Sequence, residues 1–207
     1  MPRREREKQT RKSDIVEAAE KLFLKNGFDG TSMDDIARES QFAKATIYQY
    51  FVNKEDLFFT VALKLVKQFD LYLKKKLGRC RTAYEKWQHS SLLYYQYYKE
   101  HPDIFKLINY NPPSNKDKEI SPNFKEFMSH QDSIFQMYTD IIEEGKKDGT
   151  IPSGLDSKRS AHLVVITVIA FLNTIASASD AYFEKKGFEK DDFIKYGLDT
   201  LIGILLK

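Results

Sequence analysis

Cysteine is nearly absent: Cys80 is the only one among 207 residues. This excludes an internal disulfide framework and fits a reducing compartment. Proline and glycine are also scarce, at six and nine, and no proline falls between Pro2 and Pro102, so nothing in that stretch forbids long helices. No glycine-rich phosphate loop is present. His89, His101, His130 and His162 show no metal-ligand spacing with one another or with Cys80, which argues against an enzyme and implies no cofactor. Neither sign of charge is in large excess; the net charge of +3 does not by itself announce a nucleic-acid binder. The N-terminal MPRREREKQTRK has no apolar core and reads as no secretory signal. Long hydrophobic runs are missing with one exception, SAHLVVITVIAFLNTIASAS at 160–179, uncharged over about one bilayer-spanning length. His162, Thr167, Asn173 and Thr174 interrupt it and no flanking topology signal accompanies it. It reads as a helix buried on most sides in a core or subunit interface, with no membrane partner.

What is present is mostly helical pattern. Ile15, Ala18, Ala19, Leu22 and Phe23 follow i, i+3, i+4, i+7, i+8 and make one apolar stripe. Thr10 or Ser13 is expected to cap its start and Gly27 to end it, with Phe28 folding back. Thr31 or Ser32 caps a short second helix carrying Asp34 and Asp35 in its first turn, where they favour the helix dipole. SQFA at 40–43 breaks the pattern, and a third helix runs from about Lys44 to Tyr50 with Ile47 and Phe51 buried. Asn53 caps a long helix bearing Leu57, Val61, Leu65, Phe69 and Leu73, with Asp56 in the capping-box position. Further helices are expected over about 82–99, in DIFKLINY, over about 123–147, 156–185 and 191–206. NPPSNKDKEISP at 111–122 is the clearest loop. No alternating β-branched run demands a strand, so the fold class is all-α with about nine helices.

Two short helices joined by a tight turn, each too weak alone, become stable when a third packs over them; that is a helix-turn-helix unit. Its second helix keeps Ile47 inside while Lys44, Thr46, Tyr48 and Gln49 project outward, and such a rod fits a major groove about 12 Å wide. Residues 1–12 hold six basic side chains against two acidic ones, Arg11 and Lys12 among them. An arm of this kind can lie along phosphates. With the arm included, the first 60 residues balance, 11 basic against 11 acidic, so DNA affinity has to come from placement and from the arm.

On "AA" at 18–19, "LF" at 22–23, Gly27, "TS" at 31–32, "DIA" at 35–37, "TIYQYF" at 46–51 and "KEDL" at 54–57, residues 15–57 resemble the DNA-binding domain of the tetracycline-repressor (TetR) family. The resemblance implies a dimeric, ligand-responsive transcriptional regulator, usually a repressor, that binds a near-palindromic operator in double-stranded DNA in the cytoplasm. It implies phosphate contacts from Thr31, Tyr48 and Lys54, and base or nearby backbone contacts from Lys44, Thr46 and Gln49. The chain departs from the pattern twice. Gln41 stands where the turn usually has glycine, and Ala43 where a capping serine is common.

The implied organisation is a DNA-binding domain with its basic arm at 1–55 and a helical ligand-binding and dimerisation domain at 56–207. Residues 82–147 are rich in aromatic side chains. Most of them suit a packed core, and Tyr94, Tyr98, Phe105, Phe127 and Tyr138 are candidates to line a pocket for a small apolar or aromatic effector. Leu163, Ile166, Ala170 and Asn173 on one late helix and Leu198, Leu201 and Leu205 on the other form seams suited to a homodimer, with burial inside one chain as the competing reading. A helix-turn-helix protein that recruits a protein partner without sensing a small molecule is the alternative function.

Overall fold

A computed structural model describes residues 2–110 and 121–205, without the side chains of residues 176, 177, 204 and 205. Most of the expected 111–122 loop, and the side chain of Leu205, therefore lie outside the described residues. Among those described there are ten helices and no strand: α1 (Arg3–Asn26), α2 (Met33–Ser40), α3 (Lys44–Ile47), α4 (Lys54–Leu77), α5 (Ala83–Glu100), α6 (Pro102–Ile108), α7 (Pro122–Asp148), α8 (Ser157–Ser177), α9 (Asp180–Lys185) and α10 (Lys190–Leu205). The all-α fold class stands. The extra helix arises because the segment expected to be continuous over 156–185 breaks at Ala178, whose backbone is extended, and Lys190 Nζ donates to the Ala178 carbonyl.

α1 starts about one-third of its length earlier than Thr10 or Ser13 would have it. Pro2 is its N-cap, and the Thr10 hydroxyl instead turns back to the Arg6 carbonyl. Arg, Glu, Lys and Gln are strong helix formers, and Arg3 pairs with Glu7 one turn on. The basic arm is thus a continuation of α1. At the other end Gly27 has a φ of +73° and its N–H donates to the Phe23 carbonyl, while Phe28 folds back and its ring stacks on Phe23.

The chain forms two compact units, Met1–Phe69 with His101–His130, and Asp70–Glu100 with Gln131–Lys207. In the first, Ile15, Ala19 and Phe23 of α1, Ile36 of α2, Ile47 after the turn, Phe51, and Leu57, Phe58 and Val61 of α4 make one buried core. In the second, α10 packs on α8 and α5 around Trp87, Tyr138, Ile142, Val164 and Leu198.

Candidate nucleic-acid interface

Local chemistry sets the angle between α2 and α3. Ser32 caps α2 with a full capping box: its hydroxyl accepts from the Asp35 N–H and the Asp35 carboxylate accepts from the Ser32 N–H. The Ser32 hydroxyl also donates to that carboxylate, and this bond first, then the one from the Ser32 N–H, holds the Asp35 carboxyl below its ordinary range. α2 ends at Gln41, which adopts φ 58° and ψ 25°; among the described residues it is the one non-glycine with positive φ. The Phe42 N–H then bonds the Ala37 carbonyl, closing the turn. Ala43 is the N-cap of α3 and supplies no side-chain bond. α3 has only one regular turn before the chain tightens through Tyr50. Its helical form depends on Ile47 and Phe51, which are fully buried beneath it.

Outside that anchor, Lys44, Tyr48 and Gln49 are exposed and Thr46 is half-buried. Tyr48 has 47% of its surface free, whereas Tyr50 packs against the core. Lys44 Nζ lies 2.9 Å from an Asp34 carboxylate oxygen, a bond that raises the lysine's proton affinity. Asp34 was not anticipated as a partner of Lys44; the pair spans the turn, ten residues apart, and no helical spacing rule would find it. Arg11 is exposed on α1, and Lys12 places its ammonium 5.7 Å from the centre of the Phe51 ring, which brings a cation of the arm beside the end of α3. The fold therefore gathers Lys44, Thr46, Tyr48, Gln49 and Lys12 on one unit.

Thr31 and Lys54 are placed differently. Thr31 is 1% exposed, and its hydroxyl donates to the Gly27 carbonyl at 2.8 Å. Lys54 Nζ donates to the carbonyls of Phe28 (2.9 Å) and Thr31 (3.0 Å) and sits 4.0 Å from the centre of the Phe28 ring. Both side chains are committed inside the protein.

The pocket candidates fall in both units. Phe105 packs on Phe69 and Phe127 on Phe59 in the first. In the second, Tyr138 meets Trp87 edge to face and Tyr94 packs on the core. Tyr98 lines a cavity of about 200 Å³ with Tyr95, Lys99 and Asp191. There the Tyr95 hydroxyl donates to Asp191 at 2.6 Å, and burial first, then that bond, pushes the phenol far above its ordinary range. Of the dimer candidates, Leu163, Ile166, Ala170 and Asn173 are exposed along α8, Leu201 is half-buried, and Leu198 is fully buried in its own chain's core. Among the described residues, no group of His, Cys, Asp and Glu could hold a metal ion.

The model for bacterial regulatory proteins of the tetR family matches residues 15–61. An uncharacterised helix-turn-helix regulator of Bacillus subtilis, YhgD, is 48% identical over 61 residues, 28% of this chain and 32% of that protein, so the chain spans about a third of that relative's length. The fatty acid metabolism regulator protein of the same organism is 24% identical over 172 residues, covering 79% of this chain and 82% of that one. Among solved structures, Bacillus subtilis FadR in complex with stearoyl-CoA superposes with a TM-score of 0.69 at 18% identity, over 94% of this chain and 97% of that chain. A TetR-family regulator from Thermus thermophilus, PfmR, gives 0.63 at 19% identity, over 91% and 96%. Such proteins are transcriptional regulators and not enzymes. Over residues 15–61 the chain is thus similar to bacterial regulatory proteins of the tetR family, and its all-α fold is shared with solved transcriptional regulators.

Proposed function

We propose that the protein is a ligand-responsive repressor that binds a near-palindromic operator as a homodimer in the cytoplasm, with its DNA-binding part at 1–55 and its effector-binding and dimerising part at 56–207. One observation carries the DNA-binding half. Ile47 and Phe51 are sunk in the core while Lys44, Tyr48 and Gln49 are exposed on the other side of the same short helix and turn, Lys44 paired with Asp34. Lys44, Thr46 and Gln49 read bases or nearby backbone; Tyr48, Arg11 and Lys12 meet phosphate. Two such helices enter successive major grooves about 34 Å apart.

The effector is a small, largely apolar molecule. The relative solved with stearoyl-CoA favours an acyl thioester within that class. Effector binding needs to change operator affinity by only about 1.4 kcal/mol for each tenfold loss of binding. Selection of bound sequences from random duplex DNA, followed by titration with acyl thioesters of graded chain length, tests both halves. Enrichment of a two-fold symmetric motif and its release by one of these ligands is the expected outcome. No enriched motif refutes the operator, and a motif insensitive to every thioester refutes this effector class.

A further inference from the structure

Lys54 is the first residue of α4, a place where its ammonium could meet a phosphate. Its geometry directs it elsewhere. Two of its three N–H donors are used by main-chain carbonyls, those of Phe28 and Thr31, and the ammonium rests 4.0 Å from the face of the Phe28 ring. The side chain is part-buried. Those two carbonyls flank the turn between α1 and α2, and the residue after Thr31 is Ser32, the N-cap of α2. Gly30 sits inside the same turn so tightly that an added Cβ would lie 2.4 Å from the Asn26 carbonyl oxygen. The turn is therefore closely constrained, with its carbonyls gathered on one cation.

We infer that Lys54 is a positioning residue: it ties the start of α4 to the entry of α2 and so sets the angle at which α2 and α3 are presented, without itself contacting phosphate. This deepens the DNA-binding reading above and rests on it. Drawing the ammonium away to a phosphate would strip the Thr31 carbonyl of this bond and leave the Phe28 carbonyl with only the 3.3 Å bond from the Thr31 N–H, so engaging DNA through Lys54 would loosen the turn.

The two roles differ in how binding responds to salt. A phosphate contact contributes about −0.9 to the slope of log K against log salt, on any sequence. Lys54→Gln and Lys54→Arg are compared with the unmodified protein by fluorescence anisotropy, on the selected operator and on a random duplex, between about 50 and 200 mM salt. The positioning role predicts that Lys54→Gln loses about tenfold on the operator, keeps its affinity for random DNA within about twofold, and leaves the salt slope unchanged. It also predicts that Lys54→Arg recovers most of the loss. A slope shallower by about 0.9 with equal losses on both duplexes overturns it.

Should Lys54→Gln fail to fold, the unmodified protein decides the matter. Acetylation of lysines by a soluble anhydride, read by mass spectrometry without DNA, should label Lys54 far more slowly than exposed Lys25. Labelling of Lys54 at the Lys25 rate overturns the tie. This measurement needs no operator. A failure of the DNA-binding reading, seen as no binding by the unmodified protein, is thus distinguishable from a failure of the clamp.

Discussion

Changing Gln41 to glycine and Ala43 to serine together should stabilise the helix-turn-helix by roughly 1.5–2 kcal/mol. Gln41 sits at φ 58°, ψ 25°, where the Cβ of an L-residue crowds the backbone at a cost of about 1–2 kcal/mol. Glycine removes that cost but loses about 0.5–1 kcal/mol through the greater freedom of the unfolded chain, leaving a gain of about 0.5–1 kcal/mol. Ala43 caps α3 without a side-chain bond. A serine there accepts from the N–H of Ala45 or Thr46, which is worth about 1 kcal/mol. The two positions share one turn, so their effects couple and the singles must be measured beside the double. The assay is native-state hydrogen exchange at the Phe42, Ile47 and Tyr48 amides, whose bonds to Ala37, Ala43 and Lys44 close the turn and helix. The double variant should slow their exchange roughly 10- to 30-fold. Unchanged or faster exchange in Gln41→Gly alone would refute the claim that the turn is strained; unchanged exchange in Ala43→Ser would refute the missing cap.

Other consequences follow from buried polar and aromatic groups. Asp56 is 3% exposed and its carboxylate accepts from the Val52 N–H and the Asn123 amide. Asp56→Ala leaves those donors unmatched and should cost about 2–3 kcal/mol by urea denaturation. Trp87, the only tryptophan, is 1% exposed against Tyr138; Trp87→Ala should cost about 3–5 kcal/mol in the second unit, read by circular dichroism melting. Asp191 accepts from Lys99 first and from Tyr95, which together hold its carboxyl below the ordinary 3.8. A depressed carboxyl stabilises the fold above its unfolded value, and that contribution disappears as pH falls through the lower folded value. Stability should therefore fall as pH drops below about 3.8, and less so in Asp191→Asn; equal acid sensitivity of the two proteins would remove Asp191 as a source.

Much of this architecture is legible where local rules and burial agree. The Ile15–Phe23 stripe, the Ser32 cap, the glycine end at Gly27 and the buried series Leu57, Val61, Leu65, Phe69 and Leu73 need only spacing and cap chemistry. The strain at Gln41 was also legible, because a turn that wants glycine is conspicuous without one. Four things were not. The arm's helicity depends on the many strong helix formers before Ser13, which outweigh a cap signal at Thr10. The break at Ala178 depends on a tertiary bond from Lys190. The Lys44–Asp34 pair and the inward turn of Lys54 depend on chain segments that meet only in the folded unit. Each residue's type suggested a role, and only its neighbours decided whether the side chain was free to play it.

α8 poses the remaining question about partners. By length and composition it could cross a membrane. Ala161, Val164, Val168 and Leu172 are buried in the core, so the expectation of burial on most sides is met on one stripe only. Leu163 and Ile166 remain 54% and 56% exposed, and exposed Ala170 and Asn173 extend their row. An apolar row of this kind needs a cover. Lipid is a poor one, because Asn173 and Thr174 would enter it with their polar groups, whereas the rim of a protein interface accepts such residues. We propose that a second copy of the chain covers it, each α8 row meeting its counterpart about a two-fold axis. Leu163→Glu with Ile166→Glu sets four carboxylates against one another in that arrangement. Sedimentation at micromolar concentration should show a dimer for the unmodified chain and a monomer, still helical by circular dichroism, for the variant. A dimer that survives both glutamates, or an unmodified chain that sediments as a monomer, would refute this interface.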